Sequence, residues 1–241
     1  MANAVAADTS VALERDACYA RPMIAVVGGT GPLGSGLARR LAAAGEHVIV
    51  GSRDSSRAVA AAAAVCSAVP GARCEGAENL AAVARADRVV LALPGMALPE
   101  FFDRAAPRLA GKLLIDVVVP LAFEQGFATI VPLPGARSAS ELVQARVPTA
   151  RVVSAFKNTP ADALLDLETP LQGDVVVCGD DAAARAEVSA LVGKVPGLRA
   201  VDGGRLANAR HVEAITALLV NLNRQHRART SIAILGLEPA R

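Results

Sequence analysis

The chain has 241 residues with 25 Lys and Arg against 23 Asp and Glu, a formal charge of +2, enough length for one large or two small domains with a proper core. Aromatic residues are 2% and Trp is absent, so the stacking platforms of single-stranded nucleic-acid binders are missing and no nucleic-acid partner is expected. The longest apolar stretch, Ala58 to Val69, is broken by Ser67 and too short to span a bilayer.

Residues 1–21 contain Asp8, Glu14, Arg15 and Asp16 and lack the apolar centre of a secretory signal, so a disordered extension is expected there. Ile24 to Val27 then forms a buried strand that empties into Gly29-Thr30-Gly31-Pro32-Leu33-Gly34, a Gly-x-Gly-x-x-Gly turn. A helix from Pro32 to Ala44 and a second strand from His47 to Val50 supply the context that makes this turn a dinucleotide signal. Gly29 permits the tight turn, Gly31 lets the backbone approach a pyrophosphate, and Gly34 lets the helix pack on the strand. The free amides and dipole of that helix face the phosphates.

An NAD site places an Asp or Glu just beyond the second strand, but here the chain reads Gly51-Ser52-Arg53. Ser52 can donate to a 2′-phosphate, Arg53 can fork onto it, and Arg57 adds a second cation one helical turn later. NADP is therefore favoured. Asp54 reads as the N-cap of the next helix rather than a ribose ligand.

Further along come a helix over 55–68, a short strand near Arg73-Cys74, a helix over 78–84, a strand over 88–93, a helix over 96–106 and a strand over 112–119. This alternation predicts a doubly wound parallel sheet of Rossmann type. The strand ends Leu93-Pro94-Gly95 and Val118-Val119-Pro120 fall where such sheets place their ligand crevice. Residues 123–137 read as a long loop beside the site. Beyond it, the pattern predicts a helix over 138–144, strands over 151–156 and 174–178, a helix over 182–191 and a strand over 198–201. A helix over 206–224 with an apolar stripe of Val212, Ile215, Leu219 and Leu222 follows, and then a last strand over 231–235.

Several chemistries drop out. Tyr19 is the only tyrosine and has no Lys three residues on, which removes the tyrosine acid of short-chain dehydrogenases. His47, His211 and His226 form no ligand cluster, so no metal is expected. Cys18, Cys66, Cys74 and Cys178 lack the paired short spacing of zinc or redox motifs, which fits a reduced cytoplasm. A crevice with few proton donors suits hydride transfer between two bound redox rings, where orientation and water exclusion dominate. An NADPH-dependent reductase of a flavin or imine-like molecule and a non-catalytic NADP(H) sensor remain open on these residues.

These motifs, with Arg137-Ser138-Ala139-Ser140-Glu141, Val153-Ser154-Ala155-Phe156-Lys157-Asn158-Thr159-Pro160-Ala161, Val177-Cys178-Gly179-Asp180-Asp181 and Gly197-Leu198-Arg199-Ala200-Val201-Asp202, resemble the NADPH-dependent F420 reductases from about residue 22 to the end. The resemblance implies hydride exchange between nicotinamide C4 of NADP(H) and C5 of the deazaflavin coenzyme F420. It implies an NADP-binding Rossmann domain over 22–150, a small mixed α/β C-terminal domain over 151–241 completing the cleft, and a homodimer. Thr30, Gly31, Pro32 and Leu33 would hold the pyrophosphate, and Leu93, Pro94, Val119 and Ala161 would line the nicotinamide. Phe156, Lys157, Asn158, Thr159 and Pro160 would lie along the deazaflavin. Two positions depart from the family: Lys157 stands where some members carry His, and Thr159 where they carry a larger aliphatic residue. Lys157 is a possible stabiliser of charge on the deazaflavin ring.

Overall fold

The computed structural model describes residues 22–237, so the extension expected over 1–21 lies outside the described residues, as do Cys18 and Tyr19. In chain order the strands are β1 (Met23–Val27), β2 (His47–Ser52), β3 (Cys74–Glu78), β4 (Arg88–Leu91), β5 (Leu113–Asp116), β6 (Leu121–Glu124), β7 (Phe127–Ile130), β8 (Arg151–Ser154), β9 (Gly173–Gly179) and β10 (Leu198–Gly204). The α-helices are α1 (Pro32–Ala43), α2 (Ser55–Ala68), α3 (Asn79–Arg85), α4 (Leu98–Leu109), α5 (Ala139–Arg146), α6 (Ala161–Leu165), α7 (Ala182–Gly193) and α8 (Ala209–His226).

Eight strands form one sheet in the order β10-β9-β8-β5-β4-β1-β2-β3. Its pairs are parallel except β8 with β9, which turns β9 and β10 against the rest. β1 reads as an unbroken apolar run, and β4 as one after Arg88, because both faces of the sheet are covered. Ile24 and Val26 point into one core with Leu37, Leu41, Val65, Val188 and Val192, from α1, α2 and α7. Ala25 and Val27 point into the other with Val83, Phe102, Leu109 and Val143, from α3, α4 and α5. Each fully buried aliphatic side chain contributes about 1.5–3 kcal/mol relative to exposure. The fold is the doubly wound α/β sheet that the alternation predicts, and its mixed C-terminal portion joins the parallel portion edge to edge through β5 and β8.

Side-chain caps start four of the eight described helices. Asp54 accepts from the amides of Ser56 and Arg57, Glu78 from Leu80, Ser138 from Glu141 and Asp181 from Ala184.

Three local readings differ. The stretch over 123–137 holds most of a β6–β7 hairpin, turned through Gln125 (φ 48) and Gly126 (φ 88). Both central residues have positive φ, the geometry of a type I′ turn, and Gln in place of the usual Asn or Asp hides it. Asn221 of α8 clamps the hairpin by accepting from the Ala128 amide at 2.7 Å and donating to its carbonyl at 3.0 Å. Residues 231–235 form no strand. There the Asp174 carboxylate accepts from the Ile234 amide and Arg199 donates to the Ile234 carbonyl, so side chains satisfy groups that a ladder would otherwise take. On α8 the buried residues are Ala209, Val212, Glu213, Thr216, Ala217 and Leu219, while Ile215 is 36% exposed. The buried face is therefore rotated from the apolar stripe toward two polar side chains.

Candidate functional site

A cavity of about 770 Å³ opens at the carboxyl ends of β1, β4 and β5. Its floor is the glycine turn. Gly28 takes a left-handed φ of +77, and a Cβ there would stand 2.6 Å from the Ala92 carbonyl oxygen. Gly29 donates to the Val26 and Gly51 carbonyls, and a Cβ on it would meet the Val26 oxygen at 2.8 Å. At Gly34 a Cβ would lie 2.5 Å from the Gly28 oxygen, so α1 sits directly on the turn. Gly31 is different: only the Gly28 oxygen, at 3.5 Å, lies near its missing Cβ. Thr30, Gly31, Pro32 and Leu33 line the cavity, whereas Gly29 and Gly34 shape the turn from outside the lining. α1 has Pro32 at its start and no side-chain cap, which leaves its first amides for a ligand.

At the outer end, Ser52, Arg53 and Arg57 line the cavity together. Ser52 is buried and accepts from the Asp54 amide at 3.3 Å. Arg53 and Arg57 are exposed. Among the described residues neither makes a salt bridge within 4.0 Å. Asp54 spends its carboxylate on the Ser56 hydroxyl and on the amides of Arg57 and Ser56, which hold its pKa below the ordinary value. The cap reading of Asp54 is thus the one its hydrogen bonds describe. Sequence reasoning missed Glu78, Asn79 and Arg104, which also line the cavity. Glu78 lies beside Ser52 in the β2–β3 register, and its carboxylate caps α3 through the Leu80 amide. That strand register was the missing signal, because β3 was read only as a short piece near Arg73-Cys74. Arg104 reaches the cavity from α4, a face that no local motif marks.

The inner end is apolar. Leu93, Pro94, Val118, Val119 and Ala161 line it, from the ends of β4 and β5 and the start of α6. A mouth carrying Arg53 and Arg57 and a largely aliphatic inner wall therefore belong to one cavity.

Comparison with known proteins fits this geometry. Residues 23–120 match the family described as NADP oxidoreductase, coenzyme F420-dependent. The chain is 38% identical to the F420-dependent NADP reductase of Methanothermobacter marburgensis, over 86% of this chain and 95% of that one. It is 37% identical to the F420-dependent NADP reductase of Methanocaldococcus jannaschii, over 89% and 99%. The chain belongs to the F420-dependent NADP reductase family. A crystal structure of a candidate F420-dependent NADP-reductase from Arthrobacter sp. FB24 superposes with a TM-score of 0.74 at 28% identity, covering 89% of this chain and 99% of that one.

Within this reductase fold the five residues expected along the deazaflavin separate. Lys157 and Thr159 line the cavity, but Phe156, Asn158 and Pro160 do not. Phe156 adopts φ 55 and turns its ring into the core, where it is 1% exposed. Asn158 donates to the Asp174 carbonyl at 2.9 Å, and Pro160 precedes α6 as its cap residue. Phe156 takes a left-handed φ and residues 156–159 form a turn, so the five residues do not present one common face to the cavity. Lys157 is buried, not exposed: its ammonium pairs with Asp116 at 2.7 Å and Glu213 at 3.0 Å. Thr216 of α8 lines the cavity too, with its hydroxyl bonded to the Val212 and Lys157 carbonyls.

Proposed function

We propose that this family member transfers a hydride between C4 of the NADP(H) nicotinamide and C5 of coenzyme F420. The observation that carries the reading is a single cavity with two exposed arginines and Ser52 at one end and an aliphatic wall at the other. The names of the relatives favour F420 over a flavin, an imine-like molecule or a silent sensor role.

Arg53 and Arg57 hold the 2′-phosphate, with Ser52 as a further donor, and the Thr30–Leu33 turn with the first amides of α1 holds the pyrophosphate. Leu93, Pro94, Val119 and Ala161 press on the nicotinamide and keep water away. In the direction of F420 reduction, the hydrogen and its bonding pair leave C4 and form the C–H bond at C5, while one proton from solvent balances the reduced deazaflavin. The chain contributes orientation, and no side-chain acid is needed at either carbon. Residues 22–150 bind the nucleotide and residues 151–241 close the cleft, in a homodimer acting in the cytoplasm. Exposed Phe123, Phe127 and Leu218 on the hairpin and α8 support the dimer, and no described helix is long and apolar enough to cross a membrane. Sedimentation at micromolar protein tests it: twice the chain mass is expected, and a monomer overturns it.

Anaerobic mixing with NADPH and oxidised F420 tests the reaction. Deazaflavin absorbance should bleach with NADPH consumption; no bleaching from mildly acidic to alkaline pH would overturn the assignment.

A further inference from the structure

Beside the apolar wall lies a set of buried charges that the proposed reaction does not use. Asp116 ends β5 with no exposed surface, and its carboxylate accepts from the Val118 amide at 3.1 Å, the Ser140 hydroxyl at 2.6 Å and the Lys157 ammonium at 2.7 Å. Lys157 also donates to the Val118 carbonyl and meets Glu213 at 3.0 Å. Glu213, on α8, accepts from the Ala139 amide at the start of α5, at 3.0 and 3.3 Å to its two oxygens. One ammonium thus joins the end of β5, the 117–119 segment and α8, and Glu213 extends the link to α5. Its three protons all have acceptors, so Lys157 has none to spare for a ligand.

The segments it joins are the ones that face the inner cavity: Val117, Val118 and Val119 line it, as does Thr216, three residues beyond Glu213. A buried ion cluster is a costly way to fill a core, since well-packed apolar residues of similar volume often do as well or better for stability. What directional charge pairs supply and apolar packing does not is a fixed geometry. Hydride transfer is sensitive to such geometry, because a displacement of about 1 Å can cost roughly 100-fold in rate.

We infer that Asp116, Lys157 and Glu213 are positioning residues: a buried ion cluster that holds the 117–119 wall and Thr216 at the distance hydride transfer needs, without touching either ring. This rests on the hydride-transfer reading above. The cluster governs the rate of the chemical step, while the arginine end governs nucleotide affinity.

The test uses the full chain with Lys157→Met and Glu213→Gln, measuring NADPH affinity by nicotinamide fluorescence and single-turnover F420 reduction by stopped flow. Both variants should bind NADPH within about twofold of wild type, while hydride transfer slows by roughly 10- to 100-fold for Lys157→Met and less for Glu213→Gln, which keeps a hydrogen-bonding amide. Wild-type transfer rates in folded variants would overturn the proposal, and so would a parallel loss of affinity and rate. If Lys157→Met does not fold, Glu213→Gln and Ser140→Ala decide by the same split between rate and affinity. Failure of the wild type itself to bleach F420 would refute the functional reading, whereas an active wild type with unaffected variants refutes the positioning role alone.

Discussion

The two ends of the cavity handle charge in opposite ways. At the mouth, Arg53 and Arg57 are exposed and make no salt bridge among the described residues, so their charge is open to a ligand. At the inner end, Lys157 is enclosed by Asp116 and Glu213, with side-chain exposures of 0%, 0% and 1%, and its charge is spent within the protein. Cations left open select a ligand, whereas cations closed off select a geometry. The first arrangement acts on affinity and is screened by salt. The second acts on shape and is felt as rate.

Substitutions that strike the mouth should separate the two ends most sharply. Gly34→Leu drives a side chain into the Gly28 carbonyl, where even a Cβ would lie at 2.5 Å. Nucleotide affinity should fall by roughly 100-fold or more as the pyrophosphate turn shifts, measured by fluorescence titration on folded protein. Arg53→Ala should weaken NADPH by roughly 10- to 100-fold, the loss of a charged hydrogen bond, and leave NADH within about twofold. Equal weakening of both nucleotides would break the assignment of the 2′-phosphate to this end.

Smaller effects concern the buried charges. Burial raises the Glu213 pKa above its ordinary value, against the pull of Lys157 and with the push of Asp116. A raised carboxyl favours the fold most below its unfolded-state pKa, and that contribution is lost as pH rises through the folded value. Thermal melts from acidic to neutral pH should therefore show wild type losing ground to Glu213→Gln. Asp174 has the opposite sign, because its hydrogen bond with Arg199 lowers its pKa. Its contribution is present above the ordinary aspartate value and is lost as pH falls through the folded one, so Asp174→Asn should melt lower near neutrality and close on wild type in acid. The smallest effect belongs to Ser138→Ala, which removes the cap of α5 and should cost about 1 kcal/mol without changing NADPH affinity.

This contrast also explains what could be read from the residues alone. The mouth is local: Gly29 to Gly34 and Ser52 to Arg57 are short runs whose chemistry follows from spacing, and the alternation of strands and helices leads to a doubly wound sheet, though not to the antiparallel β8–β9 pair. The inner end is assembled from Asp116, Ser140, Lys157 and Glu213, which come together only when β5, β8, α5 and α8 pack. Pairwise spacing along the chain holds no trace of that meeting. Lys157 could be singled out by its departure from the family, yet its burial depends on Asp116 and Glu213, which reach it from β5 and α8, and it follows a left-handed turn that a Phe does not advertise. The β6–β7 hairpin escaped for the same reason at Gln125.

The central claim is direct hydride transfer between two rings aligned in one cavity. Anaerobic turnover of oxidised F420 with NADPH deuterated at the transferred position of C4, followed by mass spectrometry of the reduced deazaflavin, tests it most directly. The account predicts one deuterium at C5, retained in ordinary water. Reduced F420 without the label, or label washed into solvent, would contradict it.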